Sequence, residues 1–434
     1  MSSPPSERTA TIPDNNSEVE KHESQDSEAS NVDPPFVDGG VRGWSTVAGS
    51  WCLLFSTLGY LYSFGVYQDF YTRIYLPSST TSSIAWMGSV QLALPFLIAV
   101  PAGRLFDAGY IHSVIATGSI IFSFSLFMLS LAQPDQYYQM FLSQGLGMGI
   151  GVGCVQLHSA TIVSRHFVRR RALAYGVALT GASVGSVVFP IILNHLIYSI
   201  GFADAVRVSG YISLGGLVAG NLLVRTPTKK IAFREAPPTF LSFLKDPAFV
   251  FFVAGTVISF LGFYFPIIYL QLFAVEKSID TKMAFYSIAI LNGSGVVGRI
   301  VANHMADVFG LFNIQVPCTF ITAALIWLVL AIKNVASLVT VSALYGLFSG
   351  AWLSLCMVAT AVLSKSPSEV GARTGMTMGA VGVSVLFSAP IQGAVLGKDD
   401  MWIRSVAVSA SFMLIGAVLT LVAGVLMHKG KRGP

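Results

Sequence analysis

Arg299 stands inside an apolar stretch covering about residues 284–305. A cation at the centre of a membrane helix costs at least about 2.5–3.5 kcal/mol. Such a charge is kept where it faces the interior of a helix bundle or a watery cavity. There a guanidinium can hold a carboxylate or a phenolate through two parallel hydrogen bonds. The alternative is a side chain that snorkels to the interface, two turns away. Asn292, His158, Tyr264 and Trp352 also lie within apolar stretches, and with Arg299 they form the candidate substrate-binding set. His158 adds an imidazole able to titrate near neutral pH. Tyr60, Tyr62, Gln91, Gln144, Gln156, Asn194 and Tyr269 are similarly placed. Each of these groups either lines a cavity or hydrogen-bonds between helices.

A second set of charges sits at the ends of apolar stretches. The segment Pro101-Ala-Gly-Arg-Leu-Phe-Asp107-Ala-Gly109 is echoed about 195 residues later by Gly298-Arg-Ile-Val-Ala-Asn-His-Met-Ala-Asp307-Val-Phe-Gly310. Both end in an Asp followed within three residues by Gly. A further echo links the stretch that opens at Arg171 and carries Pro190 with the one that opens near Arg373 and carries Pro390. The chain therefore contains one helix-and-loop unit twice, as secondary transporters built from two related halves do. The repeat sets Asp107 near the Arg373 end and Asp307 near Arg170 and Arg171. A carboxylate at a helix N-terminus is worth about 0.3–1 kcal/mol, rising to about 2 when partly buried. These five residues are the candidate gate: locks that hold in one state and break in the other.

The elements that must carry these residues follow from composition. The 434 residues are 53% hydrophobic and 11% charged, with a mean hydropathy of +0.68. Soluble domains carry about 25% charged residues. About twelve apolar stretches reach the length of a membrane span, so the expected fold is an all-α integral membrane protein with twelve transmembrane helices in two six-helix halves. Residues 1–43 read as a disordered N-terminal tail, because Met1–Trp44 holds nine acids, three bases and few large apolar side chains. Residues 44–224 form the first bundle, 225–247 a linker with five bases and four prolines, 248–427 the second bundle, and 428–434 a short basic tail. No apolar run follows a basic start, so the N-terminus is expected to stay cytosolic, with the first span acting as the signal. With both ends inside, nineteen of the twenty-six Lys and Arg residues fall on the cytosolic side, the bias that orients membrane proteins. The net charge of +5 is then met by lipid headgroups and needs no nucleic acid.

Enzyme-like strings give way to the same reading. Gly181-Ala-Ser183-Val-Gly185 has the spacing of a nucleophile elbow, but that motif needs a preceding strand and a strained turn. The alternating glycines from Gly145 to Gly153 lack the strand and the Gly-Lys-Ser/Thr of a phosphate loop. They give one helix a flat face, suited to sliding or to tight static packing. Cys52, Cys154, Cys318 and Cys356 all lie in spans and have no metal-site spacing. The Asn-x-Ser sequons at Asn15 and Asn292 fall in the cytosolic tail and in a span. No acid pair, triad or cofactor-binding or metal-binding cluster is present in the spans, so catalysis is not expected.

Three longer segments carry a family likeness. Asp38-Gly-Gly-Val-Arg-Gly-Trp44 precedes the first span. His166-Phe-Val-Arg-Arg-Arg171-Ala-Leu-Ala-Tyr-Gly176-Val-Ala-Leu-Thr-Gly181-Ala-Ser183 enters the fifth. Ile290-Leu-Asn-Gly-Ser-Gly-Val-Val-Gly-Arg299 and Ala306-Asp307-Val-Phe-Gly310-Leu-Phe-Asn313 belong to the eighth. Together they resemble the monocarboxylate-porter family of the major facilitator superfamily, best its fungal branch, over roughly residues 36–430. The resemblance implies alternating access through two six-helix bundles. It also implies that Arg299 holds a substrate anion, as in members that import carboxylates with a proton. Those members carry an Asp one turn before this Arg and a Lys in the first span. Here the positions are Gly295 and Val66, so their proton relay is not reproduced.

The sequence thus points to a secondary-active carrier of a small organic molecule, first an exporter of a fungal secondary metabolite, in the plasma membrane and monomeric. Uptake of a monocarboxylate or vitamin-like anion is the alternative. A non-transporting nutrient sensor would require a longer structured tail than this chain has. Tags at both termini and within residues 225–247 should all report the cytosolic side in protease-protection assays. Tags at the two ends on opposite sides would rule out twelve spans.

Overall fold

The computed structural model describes residues 39–163, 165–167, 169–226, 240–366, 369–396 and 401–431. Among them are twelve helices long and apolar enough to cross a membrane and no strand. They are α1 (Gly40–Tyr75), α2 (Thr81–Asp107), α3 (Ile111–Leu129), α4 (Tyr137–Val163), α5 (Arg171–Ile200), α6 (Phe202–Leu223), α7 (Pro247–Glu276), α8 (Thr281–Phe309), α9 (Leu311–Ala331), α10 (Val335–Leu363), α11 (Val370–Leu396) and α12 (Trp402–Lys431). Lipid offers no hydrogen bonds to a backbone, so apolar spans close their own as helices.

Packing reveals the repeat. In the first half α1 lies against α5 and α6, α2 against α4, and α3 against α4 and α6. In the second half α7 lies against α11 and α12, α8 against α10, and α9 against α10 and α12. The same pairings recur six helices later. Two pairs make the largest joins between the halves, α2 with α11 and α5 with α8, and the same shift relates them.

The turns at the repeated segments are alike too. Gly109 and Gly310 follow α2 and α8 with φ of 88° and 92°, the left-handed conformation that ends helices cheaply only at glycine. Other helix ends are set by side chains. Asp246 caps α7, accepting from the Phe249 N–H at 3.5 Å with Pro247 at the first helical position. Asp280 caps α8, and Asn334 with Ser337 forms a capping box on α10.

Two boundaries differ from the sequence expectation. Helix α1 begins at Gly40, inside the expected tail. The Gly39 N–H donates to the His166 carbonyl at 3.0 Å, and the Phe167 ring covers Gly39 and Gly43, so the start of the chain signature is docked on the α4–α5 loop. The rest of the expected tail, residues 1–38, lies outside the described residues. At the other end α12 continues through Lys431. The helix thus takes in His428 and Lys429, whose charge suits its C-terminal dipole.

The glycines of α4 pack within the first half. Gly145, Gly149 and Gly153 rest on Met87, Leu94 and Ile98 of α2, whereas Gly147 and Gly151 rest on Ser125 and Phe122 of α3. Alternate glycines thus serve two neighbours. The seam between the halves uses other small residues. A methyl on Gly103 would strike the Gly371 carbonyl, one on Gly375 would lie 2.6 Å from the Ala99 carbonyl, and one on Gly176 would lie 2.8 Å from the Arg299 carbonyl.

Because backbone cannot yield as a flexible side chain does, Gly103→Ala should lower stability by about 1–3 kcal/mol through overpacking. Gly65→Ala is the control, since nothing lies within 4 Å of its added methyl. Thermal melts in detergent should separate the two. Equal melting temperatures would show that α2 and α11 do not depend on this contact.

Candidate functional site

The two seams leave a small cavity between the halves near mid-depth. Tyr62 of α1 and Ser183 and Ser186 of α5 line it from one side. Phe263 and Ile267 of α7, Asn292, Gly295 and Arg299 of α8, and Ser349, Gly350 and Leu353 of α10 line it from the other. Its volume is about 20 Å³, room for about one water. Among the described residues, no acidic side chain contributes to the lining. The wall is a ring of hydroxyls with one amide and one cation, completed by apolar side chains.

Arg299 is the ionised group of this wall. It is 7% exposed and lies ten residues before the end of α8 at Phe309, about 15 Å along the axis. The snorkelling alternative is therefore excluded, because α8 runs beyond the expected span end and Arg299 is turned inward. One terminal N–H (Nη1) donates to the Leu179 carbonyl of α5 at 2.8 Å, a bond across the seam. Its Nε is buried without a hydrogen-bond partner. Below it Asn303 donates to the Arg299 carbonyl at 2.7 Å and to Ser354 at 2.6 Å.

Of the other expected binding residues, only Asn292 reaches the cavity. Tyr264 and Trp352 stand behind the wall. The Trp352 ring lies 5.1 Å from Phe260 and 4.9 Å from Phe263, and Tyr264 meets Tyr62. His158 is fully buried on α4 and is not part of the lining, so the structure does not join it to Arg299. Sequence reasoning passed over Ser186, Ser349 and the apolar wall of Phe263, Ile267 and Leu353. A usable signal existed in Gly346, Ser349, Gly350 and Leu353, which follow the i, i+3, i+4, i+7 pattern of one helix face.

The gate candidates sit at the end of the bundle that carries the basic loops. Asp307 accepts from the N–H groups of Ala172 at 2.9 Å and Leu173 at 2.8 Å. Its carboxylate thus caps the N-terminus of α5, beside Arg170 and Arg171, where charge and helix dipole agree. The side chain of Asp107 lies outside the described residues. Arg373, at its expected partner end, is 2% exposed and already engaged. It donates to Glu369 at 2.9 Å, to Asp246 at 3.0 Å and to the Leu363 carbonyl at 3.0 Å. The rings of Phe243 and Phe249 lie 5.0 Å and 4.9 Å from its guanidinium. Arg373 therefore ties the start of α11 to the start of α7 and to the α10–α11 turn.

Three comparisons bear on this architecture. The human organic anion transporter MFSD10 shares the fold with a TM-score of 0.68 at 15% identity, over 89% of this chain and 100% of that one. The "MFS-type transporter dbaD" of Emericella nidulans is 34% identical over 90% of this chain and 86% of its own length. The "Aspyridones efflux protein apdF" of the same organism is 36% identical over 92% of this chain and 80% of its own. Residues 43–364 match the Major Facilitator Superfamily. With twelve helices paired in two repeated halves around one cavity, and with relatives matching along nearly all of its length, the chain belongs to the Major Facilitator Superfamily.

Proposed function

We propose that the chain is a secondary-active carrier that exports a small organic anion, a fungal secondary metabolite, by alternating access. The observation that carries this reading is Arg299: a mid-membrane guanidinium that lines a cavity between two halves and has an Nε with no partner. An organic acid would bring the missing acceptor, and hydroxyls of Tyr62, Ser183, Ser186 and Ser349 would meet its other polar groups. The relative named for aspyridone efflux supports the export direction. The cavity is too small for such a cargo in this state, so binding requires the halves to part. The signature segments favour the branch that resembles monocarboxylate porters. Gly295 and Val66 in place of that branch's acid and lysine weigh against proton-coupled uptake. Export would suit a plasma-membrane location, with both termini cytosolic and a single chain sufficient for the cavity.

The gate is part of the same proposal. Asp307 of α8, capping α5, holds the basic end shut, and Asp107 and Arg373 belong to the corresponding end of α2 and α11. Breaking these contacts opens the cavity to the cytosol. Asp307→Asn keeps one acceptor and loses the charge that the α5 N-terminus favours, a change of about 1–2 kcal/mol. Cycling should suffer more than folding, so transport per surface copy should fall while abundance and melting temperature stay near wild type. Normal transport by the variant would show that this lock is not needed.

The binding role has its own test. Arg299→Lys keeps the charge but loses the planar fork. The half-saturation concentration for an acidic cargo should rise by about tenfold or more, the value of one charged hydrogen bond, and Arg299→Ala should abolish transport. Gly295→Asp would place a carboxylate one turn from Arg299, with its Cβ 3.3 Å from the Gly346 carbonyl. When ionised it would compete with the cargo, so transport should decline as pH rises through its titration. Proteoliposome flux across a pH series reads both. A lysine variant that matches wild type, with a flat pH response in Gly295→Asp, would remove Arg299 from the binding site.

A further inference from the structure

The helices contain few acids, and all of them sit near helix ends: Asp69, Asp107, Asp204, Glu276 and Asp307. None lines the cavity. On α8 itself the acid nearest Arg299 is Asp307, eight residues away, about 12 Å along the axis. Asp307 is committed to the N–H groups of Ala172 and Leu173. Arg299 thus carries a full positive charge inside the bundle, and its described hydrogen-bond partner is a backbone carbonyl. Dipoles offset such a charge only in part, and a buried ion without a counter-ion is strongly penalised. Water meets this need while the cavity is open to one side. A closed cavity with room for about one water cannot.

An alternating-access carrier must pass through a closed state twice per cycle, once loaded and once on its return. We propose that the lone charge of Arg299 makes this protein an anion exchanger: a bound organic anion neutralises the guanidinium and lets the halves close, whereas the empty site resists closing. The cargo then leaves only as another anion returns through the same site. The Leu179 carbonyl is the partner that either anion displaces, so occupancy of Arg299 and the tie between α8 and α5 are alternatives. The inference rests on the carrier reading above, and goes beyond it in fixing the mode of coupling. It also follows from Gly295: an acid there would be a built-in counter-ion, and the empty carrier would return freely.

The test needs no knowledge of the natural cargo. Gln133→Cys and Lys333→Cys place spin labels on exposed loops of the two halves at the end opposite the basic loops, with the four native cysteines replaced by alanine. Distances are measured by pulsed electron resonance on the full chain in nanodiscs. The comparison is the label pair with Arg299 against the same pair with Arg299→Met, which keeps bulk and removes charge. The empty Met variant should populate the short-distance, closed form about tenfold or more above the empty parent. Benzenesulfonate, a permanent anion, should raise the closed fraction of the parent but not of the Met variant. Benzenesulfonamide, its neutral counterpart, should do neither. Equal closed fractions in the two empty proteins would overturn the exchanger while leaving alternating access in place. So would closure of the parent by the sulfonamide as readily as by the sulfonate. A single unchanging distance in both proteins under every condition would instead defeat the carrier reading, and the exchanger with it. Melting temperature guards against misfolding: Arg299→Met should melt at or above the parent, and a clearly lower value would mark the charge as structural and overturn the proposal.

Discussion

The bond from the Arg299 guanidinium to the Leu179 carbonyl crosses the seam at the depth where the halves enclose their cavity. Two constraints meet in it. A cation in the bilayer core needs an acceptor, and helix backbones offer only the second lone pair of a carbonyl already used within the helix. The rest of the α5–α8 contact is arranged around this point. Gly176, nearly one turn before Leu179, lets the α8 backbone approach. Asn303 satisfies the Arg299 carbonyl and reaches Ser354 of α10. Asp307 then caps α5 at its first turn. Charge, amide and cap (Arg299, Asn303 and Asp307) follow one another at four-residue spacing along a single face of α8, so the site and the basic-end contact form one continuous set of polar ties.

Much of this architecture was legible in the sequence because lipid simplifies it. Apolar runs had to be helices, and repeated segments such as Pro101–Gly109 and Gly298–Gly310 had to be equivalent. Their left-handed glycines, Gly109 and Gly310, match closely. Depth was harder to read. The expected span ended near residue 305, whereas α8 continues to Phe309, and those four residues remove the snorkelling alternative for Arg299. The cavity wall was harder still. Ser183, Ser186, Ser349 and Gly350 are small residues, and in membrane helices small residues usually mean close packing. Here they do both: Gly350 touches the backbone of Gly295 while facing the cavity. His158 had the opposite fate. A lone imidazole in an apolar run suggests chemistry, but it is fully buried and is not among the residues that line the cavity.

The repeat also shows where equivalence ends. The α5 start and the α11 start occupy corresponding positions, yet they are held differently. Asp307 caps α5 from the other half of the molecule. Arg373 joins α11 to Asp246 and Glu369 of its own half, between two phenylalanine rings. Across the halves, α2 meets α11 through Gly103, Gly371, Gly375, Gly379 and Gly382. At Gly103 and Gly375 that contact is backbone against backbone, at Gly379 and Gly382 it is against the side chains of Val100, Phe96 and Leu97, and it depends on shape. The α5–α8 contact depends on charge. Arg299 therefore belongs to one seam only, and the other is built without a charge from the cavity wall. A polar seam built on a charge that has no counter-ion, beside a packed seam about which the halves can rock, is sufficient to make occupancy of the cavity a condition for closing. The same side chain that lines the cavity is thus also one of the ties between the halves.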